Sequence, residues 1–150
     1  ALQEGLISAE HTVQIGIRSS GVREAREYVQ DRGGLIYTAR ALRGKDGDGL
    51  ADTLRSIHER IGNRPCYLTL DIDCLDPAFA PGTGTPVPGG LNSHTALGII
   101  RSLGDLNIVG MDVVEVSPAY DNAEITAIAA AHVAADMLCL MRNKKVAGKL

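Results

Sequence analysis

Apolar residues are distributed along the chain in two alternating kinds of segment. Short segments rich in valine, isoleucine and leucine favour extended backbone and predict β-strands at residues 11–18, 35–38, 65–72 and 107–116. Longer segments of helical character predict helices at residues 22–31, 50–61, 94–103 and 124 to about 142. Strands that alternate with helices indicate an α/β fold built around a parallel sheet.

Two of the predicted strands are apolar almost without interruption. Residues 65–72 have the composition of a central parallel strand that is buried on both faces, and residues 107–116 form another buried strand. A chain of 150 residues is long enough for one compact domain with its own core, and no repeat or linker divides it. We therefore expect a single domain over residues 1–150.

Composition limits the partners that the chain can bind. Its 15 basic and 18 acidic residues give a formal net charge of −3, and aromatic residues make up only 3% of the chain. Because nucleic-acid binding depends on clustered lysine and arginine, a general nucleic-acid partner is not expected.

Signals for export or for membrane insertion are weak. Residues 1–10 contain no basic segment followed by an apolar one, so no secretory signal is expected. The longest apolar stretch, residues 125–141, is interrupted by Thr126, His132 and Asp136 and is predicted to be too polar and too short to cross a membrane. The cysteines show no paired spacing, which fits a reducing compartment, and we expect a cytoplasmic protein.

Acidic residues close the first apolar strand. Asp71 and Asp73 are two positions apart, so on extended backbone both side chains would point to one side while Ile72 packs on the other. Neighbouring carboxylates repel each other unless a proton or a cation lies between them. The carboxyl ends of parallel strands are also where α/β sheets bind ligands. We therefore predict that the pair binds a divalent cation such as Mg²⁺, Ca²⁺ or Mn²⁺, with a simple loop cap as the alternative.

The segment after these acids, residues 77–90, is crowded with proline and glycine. Proline fixes φ and glycine permits left-handed backbone, so a loop of this composition has a defined shape despite its length. Long loops of defined shape usually line functional sites, although a solvent-facing connection is the alternative.

A second acid stands at the end of the other apolar strand. Strand alternation places Asp112 and Val114 on one side of the sheet and Val113 and Glu115 on the other. At the strand exit, Glu115 could face a ligand and pair with a cation, ideally a bidentate guanidinium. Taken alone, an acid at such a place is more often a salt-bridged surface residue.

The histidines of the chain, His11, His58, His94 and His132, are not spaced as metal ligands. His11 and His94 stand at the starts of predicted elements, and His58 fits a helix surface. His132 fits a packing position in an apolar helix. No catalytic histidine is therefore predicted in this chain.

Two long segments resemble the ureohydrolase family of arginases and agmatinases: YLTLDIDCLDPAFAPGTGTPVPGGL, which begins at Tyr67, and NIVGMDVVEVSPAYD, which begins at Asn107. The resemblance extends from VQIGIR at Val13 to the final helix and fits the agmatinase branch best. It implies a three-layer α/β/α sandwich with a mostly parallel sheet. It also implies manganese-dependent hydrolysis of a guanidino compound to urea and an amine, in the first instance agmatine to putrescine and urea.

The same resemblance assigns roles to individual residues. It implies two Mn²⁺ ions that share a hydroxide, with Asp71 bridging both ions and Asp73 binding one of them. Glu115 matches the family glutamate that holds the guanidinium group. Positions that support the ligands or shape the loop match Asp76, Thr83 and Thr85. Family members are commonly trimers or hexamers, so a homo-oligomer is also implied.

Two ligand-bearing segments of the family, Gly-Gly-Asp-His and Asp-Ala-His-x-Asp, do not occur in this sequence. In the family both precede the part that this chain resembles. We therefore expect the chain to be the carboxyl-terminal half of a ureohydrolase domain. Because two carboxylates cannot fill the coordination spheres of two manganese ions, the chain alone is expected to bind metal weakly and to be inactive.

Alternative functions differ in class. Within the family, guanidinobutyrase, arginase and proclavaminate amidinohydrolase share the metal motif. An Asp-x-Asp after a buried strand also begins the phosphotransferases of the haloacid dehalogenase type, which prefer Thr or Val where Leu75 stands here. The chain could also be an inactive fragment or a subunit whose role is assembly.

Overall fold

The computed structural model describes residues 1–19, 21–45, 48–146 and 148, and of Asp48 it describes only the backbone. The strands are β1 (Val13–Ile17), β2 (Leu35–Thr38), β3 (Cys66–Asp71) and β4 (Ile108–Val114). They form two separate two-stranded parallel sheets, β1 with β2 and β3 with β4. Parallel strands connected by helices confirm the predicted α/β class.

The α-helices are α1 (Arg23–Arg26), α2 (Ala39–Leu42), α3 (Asp48–Ile61), α4 (Ser93–Ser102) and α5 (Ile125–Val146). The helix predicted at residues 22–31 is much shorter than expected, because α1 buries no residue and Val22 gives it no side-chain cap. The sequence pattern did not predict α2. There the Thr38 hydroxyl caps the helix by accepting a hydrogen bond from the Ala41 amide at 3.2 Å.

The hydrophobic core lies where β3 and β4 meet α4 and α5. Helix α4 begins at the Asn92 side chain, which accepts a hydrogen bond from the Thr95 amide at 2.7 Å. It turns Ala96, Ile99 and Ile100 into the core. These contacts bring the start of α4 and the loop before it to the carboxyl end of β3.

One face of β3 is exposed, so the prediction that both faces are buried is wrong for this chain. Leu70 is buried, but the neighbouring Tyr67 and Thr69 point to the other face, where Tyr67 is 61% exposed. Both side chains donate hydrogen bonds to Asp112 of β4, at 2.9 and 2.5 Å. A Cβ at Gly110 would lie 2.8 Å from the Tyr67 ring, so glycine makes room for the ring there. The apolar composition of this strand therefore overstates its burial within the chain.

A cavity of about 320 Å³ separates β1 from β3. Its walls are the two strands, and its floor is the apolar side of α4, including Ile99, together with Leu103 directly after that helix. Arg18, Asp71 and Asp73 lie at its carboxyl-terminal end. The two sheets therefore meet around a space that opens where the predicted ligand residues stand.

Helix α5 has 22 residues and, by length and composition alone, is apolar enough to cross a membrane. The prediction that this stretch is too polar and too short is wrong by these criteria, because the helix continues to Val146 and its composition is apolar enough. A helix packed inside a soluble α/β domain meets the same criteria. In this structure α5 packs through Thr126, Ala130, Val133 and Met137, and Arg101 of α4 binds its Asp136 at 2.8 Å.

Candidate functional site

The two aspartates of the predicted metal pair lie together at the carboxyl end of β3. The strand ends at Asp71, and the chain then turns into a 3₁₀ helix, Ile72–Cys74, so strand alternation does not reach Asp73. The Asp71 carboxylate caps this turn by accepting a hydrogen bond from the Asp73 amide, at 3.0 Å from Oδ1. Both aspartates line the cavity, whereas Ile72 is fully buried, as predicted. The turn therefore brings the carboxylates together by a geometry that the sequence pattern did not indicate.

Asp73 has a partner on each side. The Thr85 hydroxyl donates a hydrogen bond to its Oδ2 at 3.1 Å, and Nη1 of Arg18 lies 3.9 Å from its Oδ1. These contacts orient the carboxylate from the 77–90 loop and from β1 at the same time.

Arg18 is a site residue that the sequence did not single out. Its side chain is only 10% exposed, and it donates hydrogen bonds to the carbonyl oxygens of Val87 at 2.7 Å and Leu75 at 3.2 Å. A basic residue directly after one strand, in a chain whose two most apolar strands end in acids, is the signal that could have indicated it. Arg18 links the first sheet to the loop that surrounds the aspartates.

Asp76 shapes the loop from inside. Its carboxylate accepts hydrogen bonds from the amides of Ala78 at 3.0 Å, Gly89 at 2.7 Å and Gly90 at 3.2 Å. The amides of Ala78 and Gly89 hold the pKa of Asp76 below its ordinary value. A Cβ at Gly90 would lie 2.5 Å from the Asp76 amide nitrogen, so only glycine fits at this crossing. Both ends of the loop are therefore tied to one charged side chain.

Thr83, in the middle of the loop, is 4% exposed. Its hydroxyl oxygen has no hydrogen-bond partner among the described residues. Buried hydroxyl groups in native proteins nearly always have a partner, so this one has an unused donor and acceptor beside the site residues. Thr83 and Thr85 thus differ in this structure: Thr85 contacts Asp73, and Thr83 does not contact a candidate ligand through a hydrogen bond.

Glu115 leaves the end of β4 in an unusual backbone conformation. Its φ is +66°, in the left-handed region that residues with a side chain seldom adopt. Strand alternation therefore ends at Val114 and cannot place this residue. A Cβ built at Gly84 would lie 3.9 Å from Oε2 of Glu115, so the carboxylate lies against the 77–90 loop. Strain of this kind is common at functional sites, which supports Glu115 as a candidate functional residue.

The carboxylates interact electrostatically. Burial raises the pKa of Asp71 above its ordinary value, and the negative charges of Asp73 and Glu115 raise it further. The Asp73 amide and the Arg18 guanidinium oppose this rise. Accumulated negative charge that is only partly offset by one arginine favours the binding of a cation.

The donor atoms suit a hard divalent cation but do not complete its coordination. Carboxylate oxygens are typical ligands of Mn²⁺ and Mg²⁺. Burial raises the pKa of Cys74, the residue directly after Asp73, to about 12, so this thiol stays protonated and is a poor ligand at neutral pH. Across the parts of the chain that the structure describes, no three or more His, Cys, Asp or Glu residues are grouped to hold a metal ion. None of the four histidines lines the cavity.

Comparisons with known proteins agree with these features. The Arginase family matches residues 1–139. An agmatinase from Chromobacterium violaceum is 57% identical over 150 residues, which cover 100% of this chain and 44% of that protein. A hypothetical agmatinase from Burkholderia thailandensis has a solved structure that superposes with a TM-score of 0.84 at 52% identity, covering 97% of this chain and 43% of that chain.

A solved structure of proclavaminate amidino hydrolase from Streptomyces clavuligerus superposes with a TM-score of 0.83 at 43% identity, covering 93% of this chain and 45% of that chain. The chain therefore spans less than half the length of these relatives. Together the superpositions confirm the predicted arginase-like fold.

Proposed function

The chain belongs to the arginase family, and on that premise we propose that it forms part of a ureohydrolase that converts agmatine to putrescine and urea. One observation carries the proposal: Asp71 and Asp73 lie together at one end of the cavity, and the Glu115 carboxylate is close enough for its charge to act on Asp71. Such a group can bind divalent cations and a guanidinium side by side. Agmatine is favoured among guanidino compounds because the relatives from Chromobacterium violaceum and Citrobacter koseri, 57% and 52% identical, are both agmatinases.

Asp71 and Asp73 would hold manganese in this proposal. A pair of bound Mn²⁺ ions supplies a hydroxide nucleophile at neutral pH. Oδ1 of Asp71 accepts a hydrogen bond from the Asp73 amide, and the Asp73 carboxylate is oriented by Thr85 and Arg18. These contacts fix the direction of each carboxylate before a cation arrives, which lowers the entropic cost of binding.

Glu115 would bind the guanidinium group of the substrate. A carboxylate accepts two parallel hydrogen bonds from a guanidinium, and this arrangement fixes the plane of the bound group. The strained backbone of Glu115 turns its side chain toward the 77–90 loop, so the guanidinium would lie between that loop and the aspartates. Binding in this orientation would present the guanidinium carbon to the nucleophile.

The remaining ligands would come from the rest of a larger domain, of which this chain would be the carboxyl-terminal part. The cavity between β1 and β3 and the exposed face of β3 support this view, because an α/β domain normally covers both faces of its sheet. Asp76, Thr83 and Thr85 would support the ligands by shaping the loop. The complete enzyme would be a cytoplasmic homo-oligomer, a trimer or a hexamer.

A chimera tests the proposal. In the agmatinase from Chromobacterium violaceum, the portion that this chain matches is replaced by this chain, and urea release from agmatine is measured with and without Mn²⁺. We expect an active, manganese-dependent chimera, and we expect no urea release from the isolated chain. Arginine and 4-guanidinobutyrate serve as competing substrates.

The outcomes separate the candidate functions. An inactive chimera that folds and binds Mn²⁺ would contradict the catalytic proposal and would favour an assembly role. A higher kcat/KM for arginine or 4-guanidinobutyrate than for agmatine would retain the chemistry and change the substrate. This chimera is called the complete enzyme.

A further inference from the structure

We propose that Thr126, at the start of α5, is a positioning residue that holds Glu115 in its left-handed conformation by fastening the 77–90 loop to the segment between β4 and α5. This segment, residues 115–124, is called the β4–α5 connection. The inference rests on the proposed function, because it concerns the carboxylate that would bind the guanidinium. It adds a residue that lies outside the carboxylate group itself.

Gly82 is the point at which the loop and the connection are joined. Its amide donates a hydrogen bond to the Thr126 hydroxyl oxygen at 2.7 Å, and its carbonyl oxygen accepts one from the Ser117 amide at 2.8 Å. Both backbone groups of one loop residue are therefore used by the connection and by the first turn of α5. Thr126 is fully buried, so water does not compete for its bond.

The close approach of the two segments requires glycine at this position. A Cβ at Gly82 would lie 2.6 Å from the Cβ of Asp121. Asp121 in turn accepts hydrogen bonds from the amides of Thr126 at 3.0 Å and Ala127 at 2.8 Å, which caps α5. Thr126 therefore fixes the loop, the helix cap and the end of the connection at one place.

Glu115 lies two residues before Ser117, whose amide is held by Gly82. A left-handed glutamate is conformationally unfavourable and persists only where the surrounding structure holds it. The hydrogen bond from the Gly82 amide to the Thr126 hydroxyl oxygen and the one from the Ser117 amide to the Gly82 carbonyl oxygen supply that constraint. On this basis Thr126 acts on substrate binding through the backbone and without touching the substrate.

The test compares T126V with T126S in the complete enzyme. Valine keeps the shape of threonine but offers no acceptor to the Gly82 amide, whereas serine keeps the hydroxyl. T53V is a matched control, because Thr53 is also buried in a helix, at 6% exposure, but lies in α3. We expect T126V to raise KM for agmatine about tenfold while kcat changes less than about threefold, and we expect T126S and T53V to stay within about twofold of the unmodified enzyme.

A double-mutant cycle with E115Q separates positioning from general loss of structure. If Thr126 acts through the Glu115 carboxylate, T126V should add no further rise in KM in the E115Q background. Equal KM values for T126V and T126S, or full additivity with E115Q, would overturn the inference.

A second measurement does not require activity. Hydrogen exchange at the amides of residues 115–117 should become at least about fivefold faster in T126V, and should be unchanged in T126S and T53V. Unchanged exchange in T126V overturns the inference whether or not the enzyme releases urea. Failure of the unmodified enzyme to release urea would instead contradict the proposed function, so the two failures are distinguishable.

Discussion

Arg18 at the end of β1 and Asp73 after β3 face each other across the cavity, with 3.9 Å between Nη1 and Oδ1. They belong to two sheets that do not share a strand. Because Arg18 also donates to the carbonyl oxygens of Leu75 and Val87, a single side chain sets the position of β1 relative to the loop and to one candidate metal ligand.

Replacing Arg18 with lysine should destabilise the protein although the charge is kept. A single ammonium group cannot reproduce the fork of donors, so at least one part-buried carbonyl loses its partner. We expect R18K to lower the free energy of unfolding by about 1–3 kcal/mol, measured by urea denaturation. The control R55K changes an arginine whose side chain is 66% exposed and should have almost no effect. Equal losses in both variants would contradict this account.

Loss of the Thr85 hydroxyl should weaken metal binding. The hydroxyl orients the Asp73 carboxylate through a 3.1 Å hydrogen bond, and partners of this kind typically contribute about 10–100-fold to metal affinity. T85V in the complete enzyme should therefore bind Mn²⁺ at least about tenfold more weakly in a calorimetric titration, whereas T85S should bind like the unmodified enzyme. The same Mn²⁺ affinity in T85V and T85S would show that the Thr85 hydrogen bond does not contribute to metal binding.

Removal of either aspartate should abolish the metal site. D71A and D73A in the complete enzyme should each lose Mn²⁺, measured as bound metal per chain, and should release no urea at rates above background. D52A, an exposed acid of α3, is the control and should retain both properties. Full activity in the D71A/D73A double variant would remove the basis of the proposed function.

Replacing Glu115 with glycine should abolish substrate binding and increase the stability of the protein. Because Glu115 has φ +66°, glycine relieves the strain, and E115G should raise the free energy of unfolding by about 1 kcal/mol. E115A removes the same carboxylate but keeps a Cβ and therefore the strain. Both variants should lose substrate binding, and only E115G should gain stability in urea denaturation; equal stability of the two would argue against a strained backbone.

Asp76 should contribute to stability in a pH-dependent way. Hydrogen bonds from the Ala78 and Gly89 amides lower the pKa of Asp76 in the folded protein, so its contribution is complete above the ordinary pKa of an aspartate, about 4. The contribution is lost as the pH falls below that value through the lowered pKa of the folded state. D76N should therefore unfold more easily at pH 6, and the difference from the unmodified protein should shrink toward pH 3, as thermal melts would show.

The sequence was sufficient to locate the acids of the site, because carboxylates at the ends of apolar strands have a position that strand topology determines. It predicted Asp71 and Asp73 as a pair at the end of one strand and Glu115 at the exit of another; the structure brings the pair to one end of the cavity, with Glu115 near enough for its charge to act on Asp71. Strand alternation was nevertheless the wrong reason for the expected positions of Asp73 and Glu115. A 3₁₀ turn follows Asp71, and the left-handed backbone of Glu115 ends the regular strand geometry.

Sequence patterns did not predict the contacts between distant segments of the chain. Arg18 donates a hydrogen bond to Val87, 69 positions away in the sequence, and Gly82 donates one to Thr126, 44 positions away. The periodicity of the sequence indicates neither contact, and one sequence contains no information on which residues change together. The burial of β3 was misjudged for a related reason, since an apolar strand indicates an environment but does not show which part of the protein supplies it.

The division of the strands into two sheets also determines the order in which the structure can form and open. Each sheet pairs strands that are consecutive along the chain, so its hydrogen bonds need only one crossover of chain. The junction between the sheets depends on contacts such as the hydrogen bond from Arg18 to Val87 and the close approach of Gly16 to Cys74, where an added Cβ would lie 3.2 Å from the Cys74 Cβ. In native-state hydrogen exchange the cavity-facing edges of β1 and β3 should therefore be among the first strand segments to lose protection, before either pair separates.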